Sequence, residues 1–176
     1  MNKINLETLA DAKLLELYSE IMVELQRRGV THSTNNPVAN LAESLVTKAL
    51  SLEKMPESTK GYDAIDSDGR RYEIKGRRPT ENNQSRQLSS LRELDKQHFD
   101  FLAGVLFHEN LSVSRACVIP HAIVLQRSKY NKHANGWVFH LRDDIWNMPG
   151  VRDITGELKT IEGGQQAVAC DAVPRD

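Results

Sequence analysis

The segment GYDAIDSDGRRYEIKGRR, residues 61–78, has the pattern of two short strands that flank a polar turn. Side chains alternate between the two faces of a strand, so Glu73, Lys75 and Arg77 are predicted to share one face of the second strand. The residues between them are predicted to point to the other face. An acidic residue and a lysine two positions apart, followed by an arginine, are unusual on a surface selected only for solubility. The segment therefore predicts a β-hairpin with a charged cluster on one side.

The position of Asp63 depends on the length of the loop between the two strands. A three-residue loop over 67–69 would place Asp63 opposite Glu73 on the same face, with Cβ atoms about 4.5–5.5 Å apart. A two-residue loop over 68–69 would pair Asp63 with Ile74 and turn the two carboxylates to opposite faces. Two carboxylates that close repel each other unless a cation lies between them. The sequence permits both registers; the first creates a metal site and the second removes it.

Asp63 and Glu73 suit a hard divalent cation if they converge. Magnesium takes few protein ligands, prefers carboxylate oxygens and keeps several waters. Bound there, it would polarise a phosphate and lower the pKa of a water molecule, while Lys75 would orient that water or stabilise charge on phosphorus. Glu43, at the border of the apolar face of a helix predicted over 37–52, would add a ligand or hold a metal-bound water. This set best supports hydrolysis of a phosphodiester.

The spacing of these residues resembles the motif of the PD-(D/E)XK nuclease superfamily, which includes many type II restriction endonucleases. The matching features are Asp63, nine intervening residues, the Glu-Ile-Lys motif at 73–75, and an upstream helix that bears Glu43. The resemblance covers residues 37–120. One departure is Tyr62, which stands where the family motif has a proline before the aspartate.

The resemblance implies a role for each residue of the motif. Asp63 and Glu73 would bind Mg²⁺ or Mn²⁺, with the backbone carbonyl of Ile74 as a further ligand. Lys75 would assist the attacking water, and Glu43 would join the site. The implied activity is that of a metal-dependent endodeoxyribonuclease. The implied fold is α/β, a restriction-endonuclease-like mixed sheet flanked by helices, here with an extra N-terminal helix.

Hydrophobic periodicity and composition divide the chain into three parts. Residues 1–29 are predicted to form a helix for packing or dimerisation, residues 37–155 the nuclease-like core, and residues 156–176 a loose acidic tail. After the hairpin we expect a short helix over 88–98, strands over 99–108 and 113–120, a helix over 121–127 and a strand over 136–141.

The charge of the chain is unevenly distributed. The 176 residues carry a formal net charge of −1, which argues against binding nucleic acid through bulk charge alone. Residues 70–92, however, hold seven Arg or Lys and two Glu, whereas residues 143–176 hold three basic and seven acidic residues. A basic strip beside a candidate metal site is typical of a surface that binds a phosphate backbone. We therefore predict DNA as the partner, with RNA as an alternative, and contacts from Arg77, Arg78 and Arg70.

The sequence also bears on other classes of protein and on other interpretations of the charged strand. No apolar run is long enough to cross a bilayer, and the N-terminus lacks a secretion signal, so a cytoplasmic protein without a membrane partner is expected. Glu73, Lys75 and Arg77 are also compatible with a solvated strand face that carries cross-strand ion pairs. Two further alternatives are a non-catalytic DNA-binding module of the same fold and a structural or regulatory homodimer in which the N-terminal helix makes the contact.

Overall fold

A computed structural model describes residues 5–31, 37–56 and 58–170, with side chains as far as residue 163. Within these ranges the chain forms four α-helices, three 3-10 turns and eight short or medium strands. The helices are α1 (Asp11–Arg27), α2 (Val38–Ala49), α3 (His121–Arg127) and α4 (Thr155–Cys170), and the 3-10 turns span Leu6–Thr8, Leu94–Lys96 and Asp143–Asn147. The strands are β1 (Glu53–Lys54), β2 (Ala64–Ile65), β3 (Arg71–Arg77), β4 (Phe101–Phe107), β5 (Val113–Pro120), β6 (Lys129–Asn131), β7 (Gly136–Val138) and β8 (Arg152–Asp153).

Six of the strands form one mixed sheet in the order β1-β2-β3-β4-β5-β8, and β6 and β7 form a separate two-stranded ribbon. Neighbouring strands of the large sheet are antiparallel except β3 and β4, which are parallel. The prediction of an α/β chain with a mixed sheet and flanking helices is therefore confirmed. The two strands predicted over 99–108 and 113–120 are β4 and β5, neighbouring interior strands of the sheet.

Each face of the sheet has its own apolar core. On one face α2 and α4 pack against β3 and β5, and Leu45, Val46 and Leu158 are fully buried there. On the other face α3 and the segment between β3 and β4 cover the sheet, and Leu88 and Phe139 are buried. Strand β4 contributes side chains to both cores, which explains why its sequence is almost continuously apolar.

The prediction of a loose tail from residue 156 is wrong for the part of it that the structure describes. Residues 155–170 are helical, Leu158 is fully buried and Ile161 packs against the same core. The Thr155 hydroxyl oxygen accepts the Ala116 N–H (2.9 Å), and Glu162 accepts the Val113 N–H (3.1 Å). The core thus continues beyond residue 155. The apolar spacing of Ile154, Leu158 and Ile161 is helical, but glycines in the segment argue against a helix from sequence alone.

The prediction of a helix over 88–98 is also wrong, since residues 88–91 are not helical and a bend at 92–93 leads into the 3-10 turn Leu94–Lys96. Leu88 and Leu91 are buried because backbone hydrogen bonds attach this segment to the β7 region. The Leu91 N–H donates to the Trp137 carbonyl (2.9 Å), and the Leu88 N–H donates to the Phe139 carbonyl (3.0 Å). Of the strand predicted over 136–141, the first half is β7, which lies outside the large sheet, and His140 forms an isolated β-bridge with Gln87.

The N-terminal helix is present but shorter than predicted, and residues 1–4 lie outside the described ranges. Met22 is the single fully buried side chain of α1, while Leu15, Ile21 and Val23 are exposed. Dimerisation through this helix stays a prediction. No helix in the described part of the chain has the length and hydropathy that a membrane span requires.

Candidate active site

The hairpin of β2 and β3 has the register of the three-residue loop. Ala64 pairs with Tyr72 and Ile65 pairs with Arg71. The Gly69 N–H donates to the Asp66 carbonyl (3.0 Å), and Gly69 has φ of +77°, a left-handed conformation that favours glycine at the end of such a loop.

Asp63 precedes β2 directly and is bonded to β3 through both its backbone and its side chain. Its N–H donates to the Tyr72 carbonyl (2.8 Å), and its Oδ2 accepts the Ile74 N–H (2.7 Å). The same Oδ2 lies 3.8 Å from Nζ of Lys75. The carboxylate is therefore fixed at the edge of β3, next to the charged side chains of that strand.

Lys75 joins the two acidic residues of the hairpin. Its ammonium forms an ion pair with Oε1 of Glu73 in addition to the longer contact with Asp63. The side chains of Lys75 and Glu73 are only 20% and 15% exposed. The structure thus brings Asp63, Glu73 and Lys75 together, with the cation between the carboxylates, as their mutual repulsion requires.

Glu43 comes from α2, which lies unusually close to β3. A Cβ on Gly76 would stand 2.7 Å from the Val38 carbonyl oxygen and 3.0 Å from the Ala42 Cβ, so only glycine permits this approach. Glu43 forms an ion pair with Lys54 of β1 (3.1 Å), and its charge also acts on Glu73. The structure therefore places Glu43 beside the hairpin cluster, paired with a different cation.

Lys54 was missed by the sequence analysis. It lies on a two-residue edge strand, which is too short to show an alternating pattern. Its partner Glu43 lies on the preceding helix, α2. A lone lysine in a polar stretch carries no signal that separates it from a solubilising residue.

Burial and charge shift the two central groups of the cluster. Burial raises the pKa of Glu73, the charges of Asp63 and Glu43 raise it further, and Lys75 only partly offsets them. For Lys75 burial alone would lower the pKa, but Glu73, Asp63 and Glu43 outweigh it and hold the pKa above its ordinary value. In the metal-free protein Lys75 is therefore an ammonium at neutral pH, able to donate hydrogen bonds but not to accept a proton.

In the absence of divalent metal, the raised pKa of Glu73 should make the free energy of unfolding depend on pH. Because the pKa of Glu73 is raised on folding, the folded chain holds that proton more strongly than the unfolded chain does. The stability this provides is present below the ordinary glutamate pKa and is lost as pH rises through the folded value. We expect the free energy of unfolding of the wild type, relative to Glu73→Gln, to fall as pH rises. Urea denaturation in EDTA across about pH 4–8 measures it.

Asp100 offers a control of opposite sign for that series. Its hydrogen bonds with Arg71 lower its pKa, so its contribution is present above the ordinary aspartate pKa and is lost as pH falls through the folded value. The wild type should therefore gain stability relative to Asp100→Asn as pH rises. A Glu73 series with the same slope as the Asp100 series would contradict the prediction.

The predicted arginines lie along β3 but outside the carboxylate cluster. Arg77 Nε donates to the Ser85 carbonyl (2.8 Å), and Arg78 donates to the Glu109 carbonyl (3.3 Å). Arg70, at the other end of the strand, forms ion pairs with Asp66 (2.7 Å) and Asp68 (2.8 Å). A seven-residue strand separates the two ends by roughly 20 Å. The three arginines therefore form two separate basic positions on either side of the cluster.

The hairpin carries oxygen atoms of the type that magnesium binds. Asp63 and Glu73 supply the one or two carboxylates that Mg²⁺ ordinarily takes from protein. The carbonyl of Ile74 faces the same edge as its N–H, which binds Asp63, because both groups of a strand residue point the same way. No group of three or more His, Cys, Asp or Glu suited to a metal occurs among the described residues, so remaining ligands would be water or substrate.

A small cavity of about 200 Å³ adjoins Glu73 on the sheet face opposite α2. Gly61, Ser90, Leu91, Arg92 and Phe99 line the rest of it. Ser90 and Arg92 were not among the predicted site residues. They belong to the segment predicted as a helix, and their position depends on the bonds between Leu91 and the β7 strand, which no local pattern reveals.

No protein-family model matches the chain, and no curated protein matches it. The geometry of the hairpin and its surroundings is consequently the basis for inferring a function.

Proposed function

We propose that the chain is a magnesium-dependent endodeoxyribonuclease with a restriction-endonuclease-like fold, which hydrolyses DNA phosphodiester bonds. The observation that carries the proposal is the contact of one largely buried lysine, Lys75, with both Asp63 and Glu73 beside a cavity. Desolvating three charged groups together is costly even when they are paired, and such clusters concentrate at functional sites.

Asp63, Glu73 and the Ile74 carbonyl would hold the metal, with Mn²⁺ as a substitute for Mg²⁺. The bound ion would polarise the phosphate and lower the pKa of a water molecule. Lys75, as an ammonium, would donate hydrogen bonds that orient the attacking water or stabilise charge developing on the phosphate oxygens. Glu43, held by Lys54, would support the site from the side of α2.

Arg77, Arg78 and Arg70 are proposed to bind the phosphate backbone on either side of the reacting phosphate. A guanidinium carries five N–H donors, so the carbonyl contacts of Arg77 and Arg78 leave donors for phosphate oxygens. For Arg70, binding DNA would mean exchanging partners with Asp66 and Asp68. Of the three, Arg77 is on the same strand face as Glu73 and Lys75 and is the strongest candidate.

A non-catalytic DNA-binding module is the second candidate, and the same ion pairs favour it. Lys75 with Asp63 and Glu73, and Lys54 with Glu43, offset two of the three negative charges of the cluster without a metal. Such a module would bind DNA with a steep salt dependence and no dependence on divalent ions. Retention of two carboxylates and a lysine around one point favours the nuclease.

Cleavage of DNA by the purified protein is the direct test. We expect supercoiled plasmid, linear duplex and single-stranded DNA, incubated with Mg²⁺, Mn²⁺ or EDTA, to show cleavage of at least one substrate with either metal and none with EDTA. Calorimetric titration with Mg²⁺ should show binding to the wild type and a loss of it in Asp63→Asn and Glu73→Gln. Salt-sensitive DNA binding without cleavage or metal binding would support the second candidate instead.

A further inference from the structure

A second, larger cavity of about 870 Å³ opens beside the small cavity at Glu73. The two cavities share Gly61 and Arg92 in their linings. Gly61 has φ of +91°, and a Cβ there would meet the His98 Cβ at 2.5 Å. Only glycine therefore fits at the position where the two cavities adjoin. The two cavities therefore adjoin at Gly61 and Arg92.

The far wall of the larger cavity is aromatic. Tyr130 of β6 is 52% exposed and packs edge-to-face on Trp137 of β7, with ring centroids 5.7 Å apart. The Tyr130 hydroxyl donates to Oδ1 of Asn135 (3.0 Å), which fixes the ring from its other end. An exposed aromatic ring held at both ends presents a rigid flat surface.

The ribbon that carries this ring is attached to the candidate active site itself. The Leu91 N–H donates to the Trp137 carbonyl (2.9 Å), and the Trp137 N–H donates to the Leu91 carbonyl (2.8 Å). Leu91 lines the small cavity, and its neighbour Arg92 lines both. These two hydrogen bonds consequently fix the position of the aromatic surface relative to the cavity at Glu73.

The charges around the larger cavity favour an anionic ligand. Glu93 is already in contact with Lys96 and with His98 (3.3 Å). Lys60 and Arg92 line the cavity without an acidic partner among the described residues. Asp95 is the one acid of the lining that forms no ion pair within the described ranges, so cations exceed anions by one with His98 counted as neutral.

We propose that the larger cavity binds an unpaired nucleotide of the DNA substrate, with the base stacked on Tyr130 and the phosphate near Arg92 and Lys60. A ring stacks on a base only when the face of that base is free, so the bound nucleotide lies in a single-stranded segment. The inference rests on the proposed nuclease function for the identity of the ligand. It adds that the substrate is DNA with an unpaired segment next to the bond that is cut.

The test compares two DNA hairpins that differ only in their bases. One carries a short single-stranded overhang with normal nucleotides, and the other an overhang of the same length made of abasic nucleotides, so the phosphate charges are identical. Fluorescence anisotropy in EDTA measures affinity without cleavage. We expect the wild type to bind the base-bearing overhang about tenfold more tightly, the effect of one base–aromatic stack.

Variants of Tyr130 assign that preference to the proposed ring. Tyr130→Ala should bind both hairpins equally, whereas Tyr130→Phe should keep the preference because stacking needs the ring and not the hydroxyl. Tyr18→Ala is the matched control, since Tyr18 is 55% exposed on α1, and it should keep the preference. Equal binding of both hairpins by the wild type, or a preference that survives in Tyr130→Ala, would overturn the inference.

Cleavage with Mg²⁺ is scored separately, so that the two proposals fail in different ways. A Tyr130-dependent preference in a protein that cuts nothing would support the nucleotide site and contradict the nuclease. Metal-dependent cleavage of blunt duplex, with no preference between the hairpins, would leave the nuclease standing and overturn the nucleotide site.

Discussion

DNA cleavage by Lys75→Met is expected to fall by about 100- to 1,000-fold, the usual cost of losing one donor that stabilises transition-state charge. Methionine keeps the unbranched length of the buried stem and removes only the ammonium, so packing around the side chain is retained. The loss should appear in kcat, because the ammonium acts on charge that develops during the reaction. Initial rates with saturating DNA and Mg²⁺ measure it.

Metal binding separates the role of Lys75 from that of the carboxylates. In the metal-free protein the ammonium occupies the space between Asp63 and Glu73, so removing it should leave Mg²⁺ affinity unchanged or increased. Asp63→Asn should lose metal binding and cleavage together. Lys159→Ala is the control, an exposed lysine of α4 without an ion pair among the described residues, and it should cleave like the wild type. Normal cleavage by Lys75→Met would refute the role given to Lys75.

The free energy of unfolding is expected to fall by about 1–3 kcal/mol in Gly76→Ala, the usual cost of inserting an atom into a packed interface. The added Cβ would meet the Val38 carbonyl oxygen at 2.7 Å, and backbone cannot rotate away as a side chain can. Helix α2 would have to move from the sheet and take Glu43 with it. Urea denaturation measures the loss, and a lower rate of cleavage should accompany it.

Gly163→Ala provides the matched control with the opposite sign. Gly163 lies within α4, and a Cβ there would meet nothing within 4 Å. Alanine in a helix interior is favoured over glycine by roughly 0.5–1 kcal/mol, so this variant should be slightly more stable than the wild type. Equal stability of Gly76→Ala and the wild type would show that the contact of α2 with β3 is looser than described.

Local patterns in the sequence were sufficient for the parts of the fold that local geometry decides. The presence of a polar turn before β3, the strands that became β3, β4 and β5, and the helix α3 each follow from alternation, apolar runs or turn residues. The two possible loop lengths of the hairpin could not be separated, because Asp68-Gly69 suits either. Only the pairing of Ala64 with Tyr72 decides which side Asp63 occupies.

The remaining features depend on contacts between distant segments. The leucines of 88–98 are spaced as in a helix, yet backbone bonds to the β7 region hold them extended. The glycines of 155–170 argue against a helix that burial of Leu158 nevertheless stabilises. Lys54 is paired with Glu43 of α2, and Tyr130 lies on a ribbon that is hydrogen-bonded to Leu91. The charged hairpin could therefore be predicted from the sequence, whereas the residues that surround it could not.

The parallel pairing of β3 with β4 also sets the order in which the site is assembled. The hairpins β2–β3 and β4–β5 close over short turns, whereas joining β3 to β4 requires the whole segment 78–100 to cross the sheet. Closing that longer loop loses chain entropy before its contacts form, so we expect the two hairpins to dock late in folding. The cavity wall at 90–92 belongs to the same segment and is completed at that step. Nuclease activity would then belong to the finished sheet, and the nascent hairpin that bears all three charged residues would be inert.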